Sequence, residues 1–164
     1  MKLALASIVF AAATVACARG FAAESVVYQA KCAVCHQAAG QGVAGVYPPL
    51  ADSIGAYLRV AEGRRYLASV VVFGMSGPIE VAGQTYNGLM LPQGDLTDAQ
   101  LAGALNFVLE SFDAKLLPQG FKAIAPEELK RARAAHLTAG DLSRQRQAML
   151  EALKHAGGAS AAIR

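Results

Sequence analysis

Cys32, Cys35 and His36 are the residues of this chain whose types and spacing can do chemistry together, in the stretch Cys32-Ala33-Val34-Cys35-His36. Two cysteines three positions apart, with a histidine directly after the second, form the pattern of c-type haem attachment. Each thiol adds across one vinyl group of the porphyrin, so two thioether bonds fix the ring to the chain. Residues three apart share a face of a helical turn, so both sulfurs reach the same ring edge and His36 presents its imidazole to the iron. Three other chemistries compete. A structural zinc site needs four ligands, and the remaining histidines, His136 and His155, lie far outside finger spacing. A thioredoxin-like dithiol needs a βαβ context, which the hydropathy pattern lacks. A plain disulfide leaves His36 unexplained.

A second ligand is expected from the other side of the iron. A thioether is a soft ligand suited to iron in electron transfer. Met90 lies in Tyr86-Asn87-Gly88-Leu89-Met90-Leu91-Pro92, a stretch read as a loop just ahead of a helix. Met75, after Gly74 at the end of an earlier helix, is its rival. A haem-ligating histidine donates its other ring N–H to a backbone carbonyl. In Tyr47-Pro48-Pro49-Leu50 the prolines stiffen the backbone and offer carbonyls. Pro48 is the candidate acceptor, with Leu50 packed on the porphyrin; an ordinary proline turn is the alternative.

These residues need a scaffold, and the chain of 164 residues is long enough for one domain and an extension. Residues 1–23 read as a secretory signal: Lys2 is the basic start, Leu3 to Ala16 is an uncharged apolar run, and cleavage falls after Ala18 or near Ala22–Ala23. An uncleaved anchor and a lipoprotein linked through Cys17 are the alternatives, and either one would put the protein at a membrane. Export places the protein in the periplasm, where c-type haem is attached.

Residues 24–120 form the main domain. A first helix runs from about Glu24 into the Cys-His motif, and Gly40, Gly42 and Gly45 mark the loop after it. A second helix spans Glu62 to about Val72, with Tyr66 and Val70 on its apolar stripe. Arg64 and Arg65 read as its solvated face, with pairing to haem propionates as the alternative. Ile79, Val81 and Thr85 around Ala82-Gly83-Gln84 suggest two short strands. Thr97-Asp98-Ala99-Gln100 opens a third helix as a capping box, with Leu101, Leu105, Val108 and Phe112 on one stripe. Residues 121–164 form an extension with a disordered end. Pro126 starts one helix, and another runs from about Leu142 to His155. Leu142, Met149, Leu150 and Leu153 give the latter an apolar side, while Arg144, Arg146 and Lys154 are assigned to its outer face. The apolar side is covered either by the main domain or by a partner.

Charge divides along the same line. Residues 24–120 carry five basic and eight acidic side chains, and residues 121–164 carry eight and four. Such asymmetry bears on partners and encounter rates rather than on fold. No basic-aromatic interleaving suggests nucleic acid.

Beyond the haem motif, residues 24–112 resemble a class I cytochrome c, and more narrowly the small periplasmic cytochromes c that serve bacterial dehydrogenases. Tyr28 to His36 with Gly40 and Gly42, Tyr47-Pro48-Pro49-Leu50, and Gly77 through Met90 with the helix after it carry the resemblance. The chain departs from the family where Leu91 separates Met90 from Pro92 and where Met75 replaces a usual leucine. The resemblance implies an all-α class I cytochrome c fold around one covalent haem c, here with a short β-hairpin-like loop and the helical extension. It also implies His36/Met90 ligation and a one-electron carrier that is not itself an enzyme. Electrons would come from a periplasmic molybdenum, quinoprotein or flavoprotein dehydrogenase and pass to an oxidase or another cytochrome. The alternative function is a haem enzyme or gas-binding haem protein with an open sixth position.

Overall fold

The computed structural model describes residues 24–157. The leader, Cys17 and the end of the extension therefore lie outside the described residues. Helix runs through the Cys-His motif as expected, but not as a uniform α-helix. Residues 24–27 are helical, Tyr28–Cys32 form a π-helical turn closed by Ala33 N–H on the Tyr28 carbonyl, and α1 (Ala33–His36) follows. A π turn inside a helix widens it locally and often marks a functional site. Tyr28, fully buried, anchors this stretch by meeting Phe107 and Phe112, each at 5.3 Å between ring centroids.

A 3-10 helix (Ile54–Arg59) leads into α2 (Ala61–Phe73), which buries Tyr66, Leu67, Val70 and Val72. Gly74 ends α2 at φ +71°, and a Cβ there would run into the Met90 carbonyl. Glycine thus both stops the helix and lets the end of a hairpin close on it. That hairpin pairs β1 (Met75–Val81) with β2 (Gln84–Met90), from Met75 opposite Met90 to Val81 opposite Gln84. Ala82 and Gly83 both take positive φ, as a two-residue hairpin turn requires. The two short strands expected around Ala82-Gly83-Gln84 are present and extend further, so the domain is helix-rich with a true two-stranded sheet rather than all-α. Met90, read as a loop residue, ends a strand. Ile79, Val81 and Tyr86 turn inward along the pair, an alternation that Gly77 and Gly88 interrupt in the sequence. Next, α3 (Asp98–Phe112) opens on the expected Thr97–Gln100 capping box and packs on the first helical stretch.

The extension folds back over α2 and α3. Ile124 is held by both polar atoms of Asn106, at 2.7 and 3.0 Å. Then α4 (Pro126–Ala134) has Pro126 in its first turn, and α5 (Ala139–His155) is capped by Thr138. The last helix starts three residues before the expected Leu142, because Thr138 and Asp141 form a capping box that outweighs the cost of Gly140 within the first turn. Leu129, Leu142, Met149 and Leu153 are buried, so the main domain covers the apolar side. Arg64 is neither a solvated residue nor a propionate partner. It forks onto Glu128 at 2.6 and 2.8 Å and donates to the Lys122 and Ala123 carbonyls, tying α2 to the extension. Arg133 does the same for Asp98 and the Gly94 and Leu96 carbonyls. Arg65 stays exposed, paired with Glu62.

Two residues test this packing. Leu153→Ala removes a fully buried side chain between the extension and the domain and should cost about 2–5 kcal/mol in denaturant unfolding. Asp113 is buried at the end of α3, accepting the Ser53 N–H at 2.8 Å, and burial raises its pKa from 3.8 to about 6. The folded chain therefore binds this proton more tightly than the unfolded chain. Its favourable contribution is complete below the unfolded value and is lost as pH rises through about 6. The stability of the native protein relative to Asp113→Asn should fall between about pH 4 and about pH 7 in parallel urea titrations.

Candidate functional site

The π turn, α1, the proline loop, α2, the hairpin and α3 enclose a cavity of about 720 Å³. That is within the roughly 300–1,000 Å³ range of cofactor and ligand sites. Cys32, Cys35, His36, Pro48, Leu50, Met75 and Met90 all line it, so the residues assigned from the sequence to haem attachment, ligation and support of the ligand meet at one place. His136 and His155 do not: both are exposed and neither borders the cavity. Among the described residues, no group of three or more His, Cys, Asp or Glu stands together as a metal site.

The geometry around His36 is closely determined. Its Nδ1 lies 2.9 Å from the Pro48 carbonyl. A carbonyl only accepts, so Nδ1 carries the proton and Nε2 keeps its lone pair. Burial lowers the imidazole pKa below 6.5, opposed by the Pro48 bond, so the ring is neutral near pH 7. The loop that delivers Pro48 is folded on itself: Val43 and Tyr47 exchange two backbone hydrogen bonds of 2.8 Å, and the Leu50 N–H reaches the Gly40 carbonyl at 2.8 Å. Gly42 donates to the His36 carbonyl at 2.9 Å. At φ +67°, a Cβ on Gly42 would strike the Tyr47 carbonyl and come within 2.8 Å of the Pro48 oxygen. Glycine there is what lets the proline loop close against the histidine. From below, the Tyr28 hydroxyl donates to the Gln37 carbonyl at 2.7 Å and fixes the end of α1.

Cys32 and Cys35 are both half-buried and are not joined to each other. Met75 and Met90 are half-buried partners across the first rung of the hairpin. The Tyr66 hydroxyl donates to the Met75 sulfur at 3.2 Å.

Arg146 is the residue that sequence reasoning misplaced. Assigned to the outer face of α5, it is instead 6% exposed and lines the cavity. It donates to the Tyr57 hydroxyl and to the Glu80 carbonyl, and its guanidinium lies 5.9 Å from the ring centroids of both Tyr57 and Tyr66. Among the described residues it has no carboxylate partner. The signal was present: Leu142, Arg146, Met149 and Leu153 are spaced four, three and four apart, which is one helical stripe.

Residues 22–111 match the sequence model of the family described as Cytochrome c. Cytochrome c-552 of Thermus thermophilus is 42% identical to this chain over 117 residues, which cover 71% of this chain and 88% of that protein. The cytochrome c-552 of Thermus thermophilus strain ATCC 27634 is likewise 42% identical over 117 residues, covering 71% of this chain and 78% of its own length.

Gly42→Ala tests the loop closure. The forced left-handed backbone and the clash with the Tyr47 carbonyl should cost about 1–3 kcal/mol in denaturant unfolding. Gly45→Ala, where a Cβ meets open space, should cost less at nearly the same φ.

Proposed function

Since this chain belongs to the cytochrome c family and carries c-type haem through Cys32 and Cys35, we propose that it is an exported one-electron carrier with His36 and Met90 as axial ligands. One observation carries the reading. A single cavity is lined by both cysteines, by His36 with Nδ1 tied to the Pro48 carbonyl, and by Met90. The residues fit a haem in other respects. The walls are mainly apolar, with Leu50, Leu67, Val70, Leu101 and Leu105 suited to a porphyrin face. Arg146, a buried cation without a described counter-charge, suits the carboxylates that a haem carries.

When bound, a haem with two protein ligands supplies one-electron exchange and leaves no coordination position for substrate. The chain's own residues define the conditions. The Pro48 carbonyl holds the His36 ring in one tautomer and one orientation. The Met90 thioether, a soft ligand, favours the reduced state. Residues 24–120 act as the haem domain and residues 121–164 as its cover. The leader in residues 1–23 accounts for export to the periplasm. Among the described residues no helix is long and apolar enough to cross a membrane. An uncleaved leader or lipidation of Cys17 would attach the chain to one.

The mouth of the cavity indicates how partners meet the chain. Val34, Val46, Leu89 and Leu91 border the cavity and are all more than half exposed. The charged pair at the rim, Lys31 and Asp95, is closed on itself at 2.9 Å. A small, largely apolar contact suits a transient electron-transfer encounter. The donor is a periplasmic dehydrogenase of the molybdenum, quinoprotein or flavoprotein kind, and the acceptor an oxidase or another cytochrome.

The expected results are specific. Colour should stay with the protein through acid-acetone extraction, and the mass should exceed the processed chain by one haem. The reduced protein should not bind carbon monoxide at neutral pH. Stopped-flow mixing with a periplasmic dehydrogenase that co-purifies with it should reduce the protein on a catalytic timescale. Tight carbon monoxide binding with no such reduction supports the open-site haem protein instead.

A further inference from the structure

Two thioethers face the same cavity, and only one can complete a His/Met pair. Met75 and Met90 are directly opposed in the hairpin register. Opposed residues of an antiparallel pair have Cα atoms about 4.5–5.5 Å apart and side chains on one face of the sheet. Strand geometry therefore does not choose between them, and residue type does not either. The distinction lies in what holds each sulfur. The Met75 sulfur accepts a hydrogen bond from the Tyr66 hydroxyl at 3.2 Å, whereas among the described residues no donor engages the Met90 sulfur.

Tyr66 is well placed to hold its partner. It is 4% exposed in the middle of α2, packs edge-on against Tyr57 at 6.3 Å, and lies beneath the Arg146 guanidinium. Burial raises its pKa to about 12, partly offset by Arg146, so the hydroxyl keeps its proton. A thioether has no hydrogen to give, so Tyr66 is the donor.

Resting on the His36/Met90 reading, we propose that Tyr66 is a positioning residue that holds Met75 away from the iron, so that Met90 alone ligates. Arg146 fixes Tyr66 from above, which makes the extension part of the ligand choice. Releasing Met75 should let it serve as a second, competent ligand from the adjacent strand position.

The test reads the weak near-infrared-edge band of iron–sulfur ligation in the oxidised holoprotein, with helical circular dichroism as the folding control. Met90→Ala should lose the band. Met90→Ala with Tyr66→Phe should regain it, and adding Met75→Leu should abolish it again. A folded double variant that stays without the band overturns the inference and leaves Met90 as ligand. A band that survives Met90→Ala but is lost in Met75→Leu instead moves the ligand to Met75, overturning the assignment on which the inference rests. If the double variant does not fold, Tyr66→Phe alone is read by proton NMR of the reduced protein. A second upfield ligand-methyl signal, absent once Met75→Leu is added, supports the inference, and a single unchanged signal overturns it.

Discussion

The hydrogen bond from His36 Nδ1 to the Pro48 carbonyl is the constraint on which the site depends. It joins two segments twelve residues apart in sequence, and each must be shaped to meet the other. Proline supplies a stiff carbonyl without a competing N–H at that position. Gly42 removes the one side chain that would hold the segments apart. The Val43–Tyr47 bridge folds the loop on itself. On the other side, Tyr28 ties the end of α1 from beneath while packing at an angle against Phe107 and Phe112 of α3. The orientation of one imidazole thus reaches through four segments to the packing of the last helix of the main domain.

The basic extension shows that net charge says little about where charge ends up. Its basic excess bears on partners only where it stands on the surface. Two of its arginines turn inward instead: Arg133 onto Asp98 and two carbonyls, Arg146 into the cavity wall. Arg64 reaches the other way, from the main domain onto Glu128. Half-buried pairs of this kind contribute modestly in Coulomb terms, but removing one partner leaves the other desolvated. They therefore act chiefly to fix how the extension lies, while Leu129, Leu142, Met149 and Leu153 supply the apolar driving force.

Local chemistry was legible in the sequence and long-range placement was not. The Cys-His motif, the Thr97–Gln100 capping box and Pro126 at a helix start depend on neighbours within a few residues, and each appears where the spacing places it. Pro48 was legible because a ligating histidine needs an acceptor and prolines advertise one. The two short strands around Ala82-Gly83-Gln84 were legible from their β-branched residues and the turn between them, but not their reach to Met75 and Met90, because Gly77 and Gly88 interrupt the alternation. Arg146 was missed because a charged residue was placed outside by type when its spacing placed it inside. The π turn at Tyr28–Cys32 has no sequence signal that local propensity could supply.

The position of Arg146 also bears on why a haem domain of this size carries an extension at all. Small domains bury a smaller share of their own surface than large ones do and are marginal. Helix α5 adds a layer behind α2 and against β1, the walls that hold Tyr66 and Met75. A buried guanidinium is costly unless something compensates it. Here two tyrosine faces, a hydroxyl and the Glu80 carbonyl do so in part. The same side chain lines the cavity, so the extension supplies part of its wall. Folding of the extension and filling of the cavity are then thermodynamically linked: whatever binds the folded cavity and not the unfolded chain stabilises α5 in place. The extension is in this sense a wall of the site rather than an appendage to it.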